Sequence, residues 1–165
     1  MSHESKGKSD EWYTPKYIFD ALGCEFDLDV ASPTDLTNIH VPAMQFIKSD
    51  SLDKIWRGFI WMNPPYGDRK VKEAWLAKFF NHGNGIALLP DRTSASWWQY
   101  SSQKADAVLF TSSRIQFIKP DGSLGTQPAN GTTLFAVGER GVNALLNAEK
   151  NGLGICLIKV NKEVK

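Results

Sequence analysis

The sequence predicts an α/β protein, a sheet with helices on both faces and a hairpin at one edge. Three observations predict it. Apolar runs of strand length stand mid-chain at 58–62, 85–90 and 105–110, continuous enough to be buried on both faces. Helix-like patterns separate them, the alternation of an open α/β sheet. Two later β-rich runs, 115–118 and 132–137, flank a Gly-containing loop at 119–131, which reads as an antiparallel pair.

The elements follow in order. Residues 1–10 are polar and charged and read as a disordered lead-in, leaving 11–165 as a single domain. Thr14-Pro15 opens a helix, Thr as cap and Pro as first helical residue. Tyr17, Ile18, Ala21 and Leu22 form its apolar stripe, and Gly23 stops it. The alternation at 26–31 is strand-like. Residues 32–38 are loop, 39–41 and 45–47 are short strand candidates, and 49–52 is a turn. The run 58–62 is a buried strand halted by Asn63-Pro64-Pro65-Tyr66-Gly67. A helix at 71–80 carries Val71, Ala74, Trp75, Lys78 and Phe79, of which Trp75 and Phe79 read as core. A helix at 94–103 carries Trp97 and Trp98. A helix at 142–149 and a strand at 153–160 close the chain.

Composition narrows the function. Nineteen basic against eighteen acidic residues leave a formal charge of +1, so no global basic field exists and polyanion contact needs a local patch. Two cysteines make no disulfide scaffold. The three histidines lack metal-ligand spacing, so no metal is expected. No secretory signal or membrane-length apolar run is read, and a cytoplasmic location is expected.

The sharpest motif is Asn63-Pro64-Pro65-Tyr66. A buried strand delivers it to the carboxyl edge of the sheet, where open α/β sheets bind ligands. Two prolines fix φ and remove both backbone donors. What remains is a rigid, acceptor-rich loop beside an aromatic ring. An exocyclic amino group is a poor nucleophile because its lone pair is delocalised. Two acceptors holding its hydrogens free that lone pair for in-line attack on a methyl, by positioning and electrostatics alone. Tyr66 would stack on a flipped base.

Several segments resemble the phage-type DNA adenine (N-6) methyltransferase family, often labelled Dam. They are Trp12-Tyr13-Thr14-Pro15, Phe26-Asp27-Leu28-Asp29-Val30-Ala31-Ser32, Trp61-Met62-Asn63-Pro64-Pro65-Tyr66-Gly67, Ala87-Leu88-Leu89-Pro90-Asp91-Arg92-Thr93, Ala105-Asp106-Ala107-Val108-Leu109-Phe110, Arg114-Ile115-Gln116-Phe117 and Gly131-Thr132-Thr133-Leu134-Phe135-Ala136-Val137, with Trp97 between the fourth and fifth. They fall in the family's order over roughly 11–138, and the ordered set is stronger than any member. The resemblance implies a Rossmann-like class I methyltransferase fold, with a mostly parallel central sheet and an antiparallel edge hairpin. It implies S-adenosyl-L-methionine as methyl donor and double-stranded DNA as partner, in the host cytoplasm if the protein is phage-encoded. Asn63, Pro64, Pro65 and Tyr66 would be the catalytic loop. Trp12, Tyr13, Thr14 and Pro15 resemble the segment that closes over the cofactor. Asp29, with Ala31, resembles the end of the first strand near the cofactor's methionine part, and Asp50 the residue near its adenine. The turn at 29–33 departs from the usual pattern in having no glycine.

Basic residues on the same presumed edge form a candidate DNA patch: Arg69, Lys70, Arg92, Arg114 and Lys119, with Trp97 as a candidate stacking residue. No separate recognition domain fits this length, so short or relaxed target specificity, or a homodimer, is expected. The expected activity is adenine N6 methylation of DNA. The competing readings are amino-methyl transfer to RNA or to a protein glutamine, and a DNA-binding relative without catalysis.

Overall fold

A computed structural model describes residues 12–65 and 67–160. The lead-in expected at 1–10 and the ring of Tyr66 lie outside the described residues.

Among the described residues four α-helices and seven strands follow in order: α1 Lys16–Leu22, β1 Phe26–Asp29, β2 Ala43–Phe46, β3 Ile60–Met62, α2 Arg69–His82, β4 Gly85–Pro90, α3 Ser96–Lys104, β5 Ala107–Thr111, β6 Thr132–Val137, α4 Glu139–Lys150 and β7 Gly154–Ile158. Gly23 ends α1 at φ 63°, a left-handed conformation that costs glycine little, and its N–H reaches back to the Phe19 carbonyl. Thr14 does not cap α1. Pro15 holds the cap position without a side-chain bond, and the Thr14 hydroxyl turns instead toward Asn63. Asp68 caps α2, its carboxylate accepting from the Val71 N–H at 3.0 Å.

The sheet order is β2-β1-β3-β4-β6-β5-β7. The pairings β1–β2, β1–β3 and β3–β4 are parallel. The pairings β4–β6, β5–β6 and β5–β7 are antiparallel. The sheet is therefore mixed, half parallel and half antiparallel by ladder, rather than mostly parallel. Nor is the late hairpin at an edge. β6 lies between β4 and β5, and its first five residues are all buried, as a central strand requires. Its expected partner, 115–118, is no strand. Ile115 is 0% exposed and plugs the core singly, while Ile118 makes isolated bridges to Tyr13 and Leu124. The expected strand at 39–41 is also absent, and the pairing falls to β2.

Helices cover both faces. On one, α1 and α4 pack Phe19, Leu22 and Leu145 onto Trp61, Ile86 and Leu134. On the other, α2 and α3 pack Trp75, Phe79, Trp97 and Trp98 onto Met62, Leu89 and Phe135. The chain steps from β1 to β2 on one side, then crosses back over β1 to β3 on the other, so the direction of connection reverses there. Such a switch point parts the loops beyond the strand ends and opens a crevice there.

Candidate active site

That crevice is a cleft of about 550 Å³, within the range of small-molecule sites. The ends of three parallel strands build it: 29–33 after β1, 47–51 after β2, and Asn63, Pro64 and Pro65 after β3. Trp61 and Trp75 also line it, and Trp12, Tyr13 and Thr14 form a wall from the N-terminal side. Pro15 is buried behind them at the start of α1 and is not among the lining residues.

Every residue of β3 is buried, which fixes the base of the proline loop. Asn63 is half-buried and Pro64 buried. The Asn63 amide donates to Thr14 Oγ1 at 3.4 Å, and Thr14 is only 4% exposed. This bond directs the amide's donor end toward Thr14 and so orients its carbonyl end. The loop lacks N–H groups at Pro64 and Pro65, so it can present acceptors but no backbone donors there.

Asp29 sits at the end of β1, 3% exposed. Burial pushes its carboxyl up to about 7, against the smaller lowering effect of the Ala31 N–H it accepts at 3.1 Å. It has no salt bridge among the described residues. Asp27, one turn of the pleat away, is committed elsewhere: it accepts the Phe59 N–H at 2.7 Å and faces Arg140 at 3.6 Å. The two carboxylates therefore have separate partners, Phe59 and Arg140 for Asp27 and the Ala31 N–H for Asp29.

The glycine-free turn spends its own amides. Val30 N–H donates to the Trp61 carbonyl at 3.0 Å, Ala31 to Asp29, and Ser32 to the Ile47 carbonyl at 3.0 Å. A pyrophosphate would find no cradle of backbone donors here. A ligand without phosphate and with a cationic group suits a cleft holding a buried carboxylate that has no salt bridge among the described residues.

Asp50 lines the opposite wall at φ 51° and leads into a 3-10 turn, Ser51–Asp53. Lys78 of α2 secures that turn. Its ammonium donates to the carbonyls of Ser51 at 3.0 Å, Leu52 at 2.8 Å and Lys54, and lies 4.7 Å from the Trp56 ring centroid. Trp56 Nε1 donates to the Ser51 carbonyl at 3.0 Å. Neither Lys78 nor Trp56 was singled out from sequence as serving the site. A lysine inside an apolar helical stripe was the available signal.

The basic candidates divide. Lys70 and Arg92 are exposed. Arg69 is held by Glu73 at 2.6 Å. Arg114 is exposed and donates weakly to the Pro128 carbonyl at 3.4 Å, and Lys119 is exposed on a turn of the β5–β6 connection. Trp97 is 9% exposed within the α2/α3 core, with Lys72 Nζ 4.5 Å from its ring centroid. It belongs to the packed core and, contrary to expectation, offers no exposed ring face on which a base could stack. Lys72 belongs to the same charge run as Arg69 and Lys70, directly after the proline loop. Burial first and Arg92 second hold its pKa below the usual lysine value, so Lys72 and Arg92 are neighbours.

Among models of known families, residues 1–142 match the one described as DNA N-6-adenine-methyltransferase (Dam). No curated protein and no solved structure matches the chain.

Proposed function

The chain belongs to the DNA N-6-adenine-methyltransferase (Dam) family, and on that premise we propose that it methylates the N6 amino group of adenine in DNA, using S-adenosylmethionine. The observation that carries the reading is one shared cleft. The acceptor loop at Asn63-Pro64-Pro65 and the buried Asp29 open into it together. The donor fits the cleft chemically, since it has no phosphate and carries cationic groups. When bound, it supplies an electrophilic methyl group.

The chain's own residues do the rest. Asn63 Oδ1 and the Pro64 carbonyl accept the two hydrogens of the adenine amino group, drawing the nitrogen out of conjugation. Thr14 holds the Asn63 amide in the orientation this needs. Tyr66 stacks on the flipped base. Asp29 holds the cationic end of the cofactor, with Ala31 and the 12–15 segment beside it, and Asp50 faces the adenine end. Lys70, Lys72, Arg92, Arg114 and Lys119 contact phosphates.

The test is tritiated methyl transfer to unmethylated bacterial DNA, followed by nucleoside analysis. Wild type should yield N6-methyladenine. Asn63→Ala should lose at least about 100-fold in kcat while staying folded, the scale of removing one preorganised partner of the transition state. No incorporation by folded wild-type protein on DNA, with transfer to RNA or protein instead, would overturn the reading.

A further inference from the structure

One wall of the cleft is held from outside by a device the catalytic reading does not use. Residues 116–125 of the β5–β6 connection fold into a small hairpin. Ile118 bridges Leu124, Lys119 N–H donates to the Ser123 carbonyl at 2.8 Å, and Gly125 N–H donates to the Phe117 carbonyl at 2.8 Å. Its outer side takes up the N-terminal segment. Tyr13 and Ile118 exchange backbone bonds of 2.8 and 2.9 Å, and Asn38 Nδ2 donates to the Pro120 carbonyl at 2.8 Å. The Trp12 ring then rests on Gly125. A Cβ built there would lie 2.3 Å from Trp12 Cζ3, 2.9 Å from the Phe117 carbonyl oxygen and 3.1 Å from Trp12 Cε3. Gly125 is buried, and its φ is not in the left-handed region. Glycine is required at this point for space, and what fills the space is the Phe117 carbonyl and an indole that lines the cleft. Gln116 Nε2 fixes the notch by donating to the Gly125 carbonyl at 2.7 Å.

We propose that Gly125 and Gln116 are positioning residues for the cofactor, acting through Trp12: the hairpin is the seat that holds this ring as the outer wall of the S-adenosylmethionine cleft. The proposal rests on the function given above. A purely structural seat would stabilise the fold and leave ligand affinity alone. A wall seat sets affinity, because an indole displaced from the notch no longer presents the same surface to the ligand.

The probe is S-adenosylhomocysteine, titrated calorimetrically into wild type, Gly125→Ala, Trp12→Ala, Gln116→Ala and the Trp12→Ala/Gly125→Ala double variant. Gly125→Ala should raise Kd roughly tenfold, an overpacking effect delivered to the cleft. Trp12→Ala should do the same, and the double variant should be no weaker than Trp12→Ala, because the methyl's remaining close neighbour, the Phe117 carbonyl, is not among the residues that line the cleft. In turnover, KM for the donor should rise with kcat for bound complex little changed. Gly125→Ala that folds and binds like wild type overturns the proposal, as do losses that simply add in the double variant. Should Gly125→Ala fail to fold, Gln116→Ala decides, with weaker binding supporting the seat and unchanged binding overturning it. A wild type that binds no S-adenosylhomocysteine would instead sink the cofactor assignment itself, and the seat with it.

Discussion

Asp29 shows how far one residue's chemistry depends on where it is put. Unfolded, its carboxyl titrates near 3.8; folded, burial raises it to about 7. The folded state thus holds the proton more tightly. The stability this contributes is complete below about pH 4, declines as pH rises, and is gone above about pH 7. Asp29→Asn removes the titration. In urea unfolding, its advantage over wild type should grow by up to about 2–3 kcal/mol between pH 5 and pH 8. A constant difference across that range would mean the carboxyl is not desolvated. The same titration governs the cation Asp29 is proposed to hold. Affinity for S-adenosylhomocysteine should fall as pH drops through about 7 in wild type and stay flat in Asp29→Asn.

At the scale of elements, α2 has two jobs. Its apolar side buries Trp75, Leu76 and Phe79, and Lys78 beside them clasps the turn that carries Asp50 toward the cleft. Lys78→Met keeps the stem and removes the donors, leaving three carbonyls without that partner. The expected cost is about 1–3 kcal/mol, read as a lower Tm. Binding of S-adenosylhomocysteine should weaken as well. Lost stability with unchanged affinity would show that the turn holds its place without the lysine.

Over the whole molecule, a formal charge of +1 leaves DNA affinity to a local patch. Among its members Arg69 is already neutralised by Glu73, whereas Arg92 and Lys70 are exposed. Arg92→Ala should weaken binding alike across DNA sequences and lower the salt-dependence slope by about 1. Arg69→Ala should change that slope less. Equal slopes in wild type and Arg92→Ala would remove Arg92 from the interface.

Much of this architecture was legible in the sequence because the signals are local. The apolar run before Asn63-Pro64-Pro65 reads as a buried strand halted by residues that cannot continue a sheet, and β3 and its loop are that. Gly23 stops α1 and the apolar spacing of Trp75 and Phe79 marks the buried side of α2, again by short-range chemistry. Which strand lies beside which is a different kind of information. Nothing within 132–137 says that it inserts between β4 and β5, because neighbour order depends on contacts between residues far apart in the chain. Ile115 looks like part of a strand when it only fills a hole. The chain by itself determined the donor-free proline loop after a buried strand, since that is a local residue pattern, while the reading of Asp29 came from resemblance to the family. Only the tertiary structure decided that Asp29 is buried with no salt bridge among the described residues, that Trp97 is core, and that Trp12 is seated on Gly125. Burial, pairing and packing belong to the surroundings of a residue, and the surroundings are assembled by the fold.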